Sequence, residues 1–118
     1  MAVEEILDSS EVEPSFPGGE SAMILFIQHN FVYPEYSKEM GEQGTVYVSF
    51  VVNRDGSISD IEILKGVSKA LDEEVMRVIS VMPSWTPGMQ AGKLVRVRYC
   101  VPVKCTIESG RKNKKKKQ

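Results

Sequence analysis

The fold is decided by residues 44–64, which read GTVYVSFVVNRDGSISDIEIL. Apolar and other residues alternate over positions 46–52, the period-2 pattern of a strand with one buried face. A short turn follows over residues 53–56, in which Gly56 can adopt the positive φ that such loops require. β-Branched residues then return over positions 57–64, so the stretch is predicted to form a β-hairpin.

The alternation slips in the second half of this hairpin. Ile58 lies in one phase of the pattern, whereas Ile61 and Ile63 lie in the other. One extra residue near Ser59 and Asp60, a β-bulge, would bring the three isoleucines onto one face. We therefore expect a bulge there, and a covering layer for the apolar face that results.

Two helices are predicted to form that cover. Residues 20–30 are apolar with helical spacing, and their expected inner face consists of Met23, Phe26, Ile27 and Asn30, flanked by Ala22. A second helix is predicted to begin after the N-cap Ser68 and to stop before Pro83. Its apolar stripe comprises Leu71, Val75, Val78, Ile79 and Met82. One further short helical segment is expected over residues 35–40, after Pro34.

A third strand is predicted over residues 94–105, after a loop at 83–92 in which Trp85 is expected to plug an edge of the core. Pro102 has no N–H to donate, which favours an edge position for this strand. The first hairpin strand would then lie in mid-sheet. The predicted fold class is α+β, with a three-stranded antiparallel sheet packed on one face by two helices.

Charge is distributed unevenly along the 118 residues. Six of the fifteen basic residues lie at 111–118, which leaves nine against sixteen acidic ones and a balance of −7 over the rest. We expect a disordered segment at 1–13, one domain at 14–107 and a basic disordered tail at 108–118. An acidic domain is not a nucleic-acid-binding surface, although the tail alone could attract anionic membrane or nucleic acid.

Little in the chain indicates catalysis. His29 is the only histidine, and no neighbouring motif suggests a partner for it. Cys100 and Cys105 are expected on opposite faces of one strand, without a metal-type CxxC motif. No glycine-rich phosphate loop follows a strand. The prediction is therefore no enzyme, no cofactor and no metal.

An ordered series of short motifs resembles the C-terminal domain of TonB energy transducers, most closely the version common in Bacteroidetes-type bacteria. The first motifs are Pro14-x-Phe16-Pro17-Gly18-Gly19, Tyr33-Pro34, Gly44 to Val52 and Asp55-Gly56-Ser57. The later ones are Gly66-Val67-Ser68, Leu71-Asp72-Glu73-Glu74, Met82-Pro83-x-Trp85-x-Pro87-Gly88, Gly92-Lys93-x-Val95-Arg96-Val97 and Pro102-Val103. The resemblance covers roughly residues 14–105.

The resemblance implies a periplasmic docking domain, tethered to the inner membrane in the full-length protein. Its partners would be TonB-dependent outer-membrane transporters, bound through the short extended segment called the TonB box. Inner-membrane motor proteins would act through an N-terminal anchor, and their pull would displace the transporter plug. The same kind of domain also occurs on membrane-bound signalling peptidases, where it would sense or dock without force transfer, and that reading is the alternative.

The resemblance also implies a binding site, in which the TonB box adds a strand to the edge of the last strand. The residues carried over to this chain are Tyr33, Pro34, Arg96, Val97, Arg98, Tyr99, Cys100, Val101 and Lys104. Edge addition agrees with the position inferred for Pro102. Protection of the edge by charge is an equally weighted explanation for Arg96 and Arg98. A strand-exchanged homodimer is also possible.

Overall fold

Eight elements make up the part of the chain that the computed structural model describes, residues 5–107. In chain order they are β1 (Ile6–Leu7), α1 (Glu20–Asn30), α2 (Glu35–Met40), β2 (Gly44–Val52), β3 (Ile58–Lys65), α3 (Lys69–Ser80), β4 (Gly88–Gln90) and β5 (Lys93–Cys105). The α+β class and the three central strands are confirmed, whereas the number of strands was underestimated.

The hairpin strand β2 lies in the middle of the sheet, as predicted. The strand order is β1-β5-β2-β3, with β4 pairing only with β5. β2 and β5 are antiparallel and remain in register over nine consecutive pairs, from Gly44 opposite Cys105 to Val52 opposite Val97. This long regular ladder fixes the position of β5 against the core.

The predicted bulge in β3 is present at Asp60. The register between β2 and β3 shifts at this point, and Asp60 has a φ of 51°. As a result Ile58, Ile61 and Ile63 all pack against the core. A second register shift, which was not predicted, lies near Lys65.

The helices cover one face of the sheet. The Ser68 hydroxyl accepts a hydrogen bond from the Leu71 N–H at 3.2 Å, so the predicted N-cap of α3 is confirmed. The apolar stripe of α3 packs on β2 and β3 with Leu71, Val75, Val78 and Ile79 buried. α1 buries Met23 and Ile27, the centre of its predicted inner face.

Trp85 closes one end of the core, as expected from its position in the sequence. Its ring centroid lies 5.7 Å from that of Phe16, 5.4 Å from that of Phe50 and 4.9 Å from that of Tyr99. The backbone N–H of Trp85 also donates to the Gly56 carbonyl at 2.9 Å. The hairpin turn and the aromatic end of the core are therefore joined.

The prediction of a disordered segment over residues 1–13 is wrong for the part that the structure describes. Ile6 and Leu7 are half-buried and pair in parallel with Arg96 and Val97 of β5. Val12 then exchanges two backbone hydrogen bonds with Met89, at 3.0 and 2.9 Å. The apolar pair and the available sheet edge explain this order, whereas residues 1–4 and the predicted tail at 108–118 lie outside the described residues.

The predicted loop at 83–92 contains one more short strand. Ala91 and Gly92 have φ values of 52° and 76°, and this pair of left-handed residues turns β4 directly into β5. Such a two-residue reversal matches the twist of an antiparallel pair. β4 therefore pairs with the first three residues of β5.

Candidate functional site

β5 has one side that is largely open. β2 occupies its inner side along the ladder from Val97 to Cys105, and β1 occupies the outer side only at Arg96 and Val97. Within residues 5–107, no strand pairs with the outer side of residues 98–105, which we name the free β5 edge. An unpaired edge of this kind is a template for an added strand. The edge position inferred from Pro102 is thus confirmed.

Two residues assigned to the docking edge from the sequence, Arg96 and Val97, do not lie on its free part. β1 pairs with both of them, and Val97 is fully buried. The Arg96 guanidinium donates from Nε to Asn53 Oδ1 at 2.8 Å and lies 3.3 Å from an Asp60 carboxylate oxygen. β1 pairs with both residues, and Arg96 also has the side-chain contacts just described. The free edge therefore begins at Arg98, and the expectation that it begins at Arg96 is wrong.

The other predicted edge residues divide between the two faces of the sheet. Tyr99 packs on Phe50 and Trp85, and Val101 is buried in the same core. Arg98, Cys100 and Lys104 alternate with them on the opposite face, where Cys100 and Lys104 are exposed. Arg98 lies 3.8 Å from the carboxylate of Asp8, which is 94% exposed. The side chains of the free β5 edge therefore differ sharply in character between its two faces.

A groove of about 500 Å³ lies beside the C-terminal end of the free β5 edge. It is bounded by α1, by the segment after α1 and by the end of the chain that the structure describes. Its lining consists of Ile27, Gln28, Phe31, Tyr33, Lys38, Val103, Lys104, Cys105, Thr106 and Ile107. The structure therefore brings two sequence-predicted residues, Tyr33 and Lys104, to one groove.

Tyr33 and Pro34, predicted together, have different places. The Tyr33 hydroxyl donates to the Glu42 carbonyl, which holds the ring in the groove wall. Pro34 is absent from that lining and is instead the N-cap residue of α2, where its carbonyl accepts from the Lys38 N–H at 3.0 Å. Pro34 thus orients the segment rather than facing the groove.

Within the part of the chain that the structure describes, the groove lining includes two lysines and no acidic residue. Burial, and then the proximity of Cys105 and Glu42, raises the pKa of Tyr33. Burial, and then Asp72, raises the pKa of Cys105 to about 11. Both groups therefore stay protonated near neutral pH. Among residues 5–107, the ionisable groups of the lining other than these two are Lys38 and Lys104, and the Lys104 side chain lies on the exposed face of the sheet.

The second sheet edge, the outer side of β3, is a poorer template for strand addition. β3 is shorter than β5, with eight residues against thirteen, and its pairing with β2 is interrupted twice. It also carries Asp60, Glu62 and Lys65, which are exposed. Bulges and charges are the usual devices that block pairing at an edge.

Several groove residues were missed in the sequence, although one signal for them existed. Residues 23–27 form an uninterrupted apolar run, MILFI, of which a single helix face can bury only a part. Ile24 and Leu25 are accordingly 46% and 55% exposed. An apolar excess on a short helix could therefore have indicated a second apolar surface beside the core.

Other kinds of site find no support in the described residues. Within residues 5–107, no group of three His, Cys, Asp or Glu side chains could hold a metal ion. His29 is exposed near the end of α1. The helices in this part of the chain are too short or too polar to cross a membrane.

A comparison with known protein families gives a match that covers about two thirds of the chain. The family described as Gram-negative bacterial TonB protein C-terminal matches residues 29–107. This range contains α2, α3, β2 to β5 and most of the groove lining, without Ile27 and Gln28. β1 and nearly all of α1 lie before the matched range.

Curated relatives and a solved structure agree with this match. The chain is 37% identical to Protein TonB of Pseudomonas aeruginosa over 67 residues. The aligned region covers 54% of this chain and 19% of that protein. It is 34% identical over 61 residues to Protein TonB of Helicobacter pylori, covering 48% of this chain and 22% of that protein. The chain thus spans about a fifth of the length of these relatives.

The solution structure of the Helicobacter pylori TonB-CTD has a similar fold, with a TM-score of 0.50 and 23% identity. The alignment covers 70% of this chain and 88% of that one.

Proposed function

Because the chain belongs to the Gram-negative bacterial TonB protein C-terminal family, we propose that it is the docking domain of a TonB-type energy transducer. It binds the TonB box of an outer-membrane transporter as an added strand. Proton-motive-force-driven pulling through the domain then opens the transporter plug. The named relatives, each a Protein TonB, favour this function over that of a signalling-peptidase domain.

The observation that carries the proposal is the free β5 edge at residues 98–105. Its inner side is paired throughout, so β5 is held rigidly while its outer main-chain groups are available. A strand that docks there gains main-chain hydrogen bonds with little demand on its sequence. One domain could therefore serve transporters whose docking segments differ.

The position of β1 supports a role in transmitting force. β1 pairs with β5, the same strand that carries the free edge. A pull arriving from the N-terminal side would reach β5 directly, without first crossing the helices. In this account the upstream chain, the docking strand and the transporter segment form one continuous mechanical path.

The proposed location is the periplasm, with the domain tethered to the inner membrane and coupled there to motor proteins. The proposed binding residues are those on or beside the free β5 edge: Tyr33, Arg98, Tyr99, Cys100, Val101 and Lys104. Pro34 contributes by fixing the segment that carries Tyr33. Arg96 and Val97 support the edge from its paired end.

Calorimetric titration with a TonB-box peptide of about seven residues, the length strand addition needs, tests the proposal. A matched peptide with proline at its central position is the control, because proline removes a main-chain N–H and disfavours sheet pairing. The proposal expects binding of the first peptide and loss of binding for the second. Equal affinities would contradict strand addition, and no binding of either would contradict the docking function.

A further inference from the structure

We propose that two side chains of α3, Glu74 and Arg77, position the segment after α1 that forms part of the docking site. The inference rests on the proposed function, because it concerns how the site is kept ready for the strand that docks on the free β5 edge. Among the described residues, the groove lining includes neither Glu74 nor Arg77. They are therefore positioning residues, which affect the partner only through the segment that they hold.

Glu74 and Arg77 lie about one turn apart on α3 and form an ion pair with two hydrogen bonds. The Arg77 guanidinium donates from Nε to Glu74 Oε1 at 3.0 Å and from Nη2 to Glu74 Oε2 at 2.7 Å. The Glu74 side chain is only 13% exposed. The hydrogen bonds from Arg77 hold the pKa of Glu74 below its usual value, although burial acts in the opposite direction. Both groups are therefore charged near neutral pH, and the two planar groups fix each other in one orientation.

The same ion pair holds the backbone on both sides of Phe31. Glu74 Oε2 accepts a hydrogen bond from the Val32 N–H at 2.8 Å. Arg77 Nη2 donates a hydrogen bond to the Asn30 carbonyl at 2.7 Å. These two backbone groups belong to the peptide units that directly precede and follow the Cα atom of Phe31. We name the ion pair together with these two contacts the α3 clamp.

The α3 clamp acts where the chain leaves helical geometry. α1 ends at Asn30, and Phe31 has a φ of −74° and a ψ of 122°. The last carbonyl groups of a helix have no partner within the helix, and a cationic side chain beside them is favourable. Arg77 supplies that cation, while the Glu74 carboxylate accepts from the first N–H beyond Phe31. Because peptide units are planar, holding one on each side of a residue restricts both of its backbone dihedral angles.

Phe31 connects the α3 clamp to the groove. It lines the groove, and its ring centroid lies 5.7 Å from that of Tyr33, with an angle of 65° between the ring planes. The hydroxyl of Tyr33 is held separately by the Glu42 carbonyl. Residues 31–34 have no regular secondary structure of their own. α3 packs on β2 and β3, so the clamp ties this irregular segment to a rigid part of the core.

A segment that is ordered before the partner arrives does not have to be ordered during binding, which would oppose association. Without the α3 clamp, residues 31–34 would sample several conformations, and only a fraction of them would place Phe31 and Tyr33 in the groove wall. The apparent affinity of a site falls in proportion to the fraction of molecules in the competent conformation. The clamp therefore raises the affinity of the site from a helix that the docked strand does not contact.

Calorimetric titration of the full chain with a TonB-box peptide tests this role. Glu74→Ala removes the acceptor of the Val32 N–H and the partner of Arg77, and is expected to weaken binding about tenfold. Glu74→Gln retains an oxygen that can accept from the Val32 N–H, so it should restore most of the affinity. Glu73→Ala is the matched control, since Glu73 is the preceding residue of α3, is 64% exposed and pairs with Lys69. It should leave the affinity unchanged within about twofold.

Amide hydrogen exchange of the peptide-free chain separates positioning from a general loss of stability. In Glu74→Ala, the exchange rate at Val32 should rise far more than that at Val48, which is fully buried in β2. A purely global destabilisation would instead accelerate exchange at Val48 as well.

A double-mutant cycle tests whether the α3 clamp acts through Phe31. Phe31→Ala should weaken peptide binding in the unchanged chain, because Phe31 lines the groove. In the Glu74→Ala background the same substitution should have a much smaller effect, since Phe31 is then no longer held in place. A role of Glu74 that is independent of Phe31 would give additive effects.

The outcomes separate this inference from the function on which it rests. If the unchanged chain binds the peptide and Glu74→Ala binds it as tightly as Glu73→Ala does, the positioning role is overturned and edge docking stays intact. An affinity of Glu74→Gln as low as that of Glu74→Ala, unaltered exchange at Val32, or additive effects with Phe31→Ala would each overturn it as well. Absence of binding by the unchanged chain contradicts the docking function itself, and the positioning role falls with it.

Discussion

Arg96 of β5 reaches across the central strand to Asp60 of β3, with 3.3 Å between Nη2 and the nearest carboxylate oxygen. Its Nε also donates to Asn53 at the hairpin turn. The bulge and the turn of the hairpin are therefore both tied to the strand that carries the free edge. Arg96, one of the residues expected from the sequence at the docking edge, thus links β5 to the hairpin.

Replacing Arg96 should accordingly affect stability. Arg96→Gln removes the guanidinium contacts with Asn53 and Asp60, made by a side chain that is only 20% exposed, and is expected to cost about 1–3 kcal/mol, as for hydrogen bonds to charged groups. Arg98→Gln loses only the 3.8 Å pair with the exposed Asp8 and should cost less than about 0.5 kcal/mol. Urea denaturation measures both, and equal losses would contradict the assigned role of Arg96.

β1 should limit where the free β5 edge begins. Leu7→Pro removes an N–H from β1 and is expected to release it, so that exchange of the amide protons at Arg96 and Val97 becomes faster. Ser9→Pro, two residues further on and outside β1, is the control and should leave this exchange unchanged. Unaltered exchange in Leu7→Pro would show that β1 does not protect this end of β5.

The hairpin turn should tolerate no side chain at Gly56. A Cβ atom there would lie 2.3 Å from the Trp85 carbonyl oxygen, and the residue has a φ of 87°. Gly56→Ala is expected to destabilise the domain by about 2–4 kcal/mol through clash and backbone strain. Gly41→Ala is the control, because its φ is also positive, at 69°, but no atom lies within 4 Å of the added methyl. It should cost about 1–2 kcal/mol, and thermal denaturation that ranks the two variants the other way would contradict the packing described.

The two cysteines should react very differently. Cys100 is exposed, whereas Cys105 is buried with its pKa raised to about 11. Alkylation at about pH 8, below the ordinary thiol pKa, should therefore modify Cys100 alone until the protein unfolds. Peptide mass spectrometry identifies the modified residue, and rapid labelling of Cys105 would contradict its burial.

The raised pKa of Cys105 also gives stability a defined pH dependence. The native state retains a proton that the unfolded chain releases at the ordinary thiol pKa of 9.0. This contribution is fully present below that value and is lost as the pH rises toward about 11. The free energy of unfolding should thus fall less steeply in Cys105→Ala than in the unchanged chain over this interval, and parallel curves would contradict the shift.

The parts of the fold that could be predicted are those that local sequence patterns specify. The alternation around Phe50, the phase slip at Asp60 and the cap at Ser68 each involve residues close together in the chain. β1 could not be predicted in this way, because two residues carry no periodicity and Ile6 pairs with the distant Arg96.

For the same reason, the candidate site could be predicted only in part from the sequence. Pro102 placed the edge correctly, since a missing N–H is a property of one residue. The groove depends on the packing of α1 beside β5, which no local pattern specifies. The C-terminal limit of the domain at residue 107 and the binding roles of individual residues remain predictions, whereas β1 places ordered structure before residue 14.

The most direct test of strand docking is an NMR titration of the isotopically labelled chain with a TonB-box peptide. The account predicts that the largest amide shifts, and the largest gain in exchange protection, fall on residues 98–105 and on the adjoining groove residues. The outer edge of β3, residues 58–65, should be unaffected. Shifts confined to β3, or none on residues 98–105 at saturating peptide, would contradict docking on the free β5 edge.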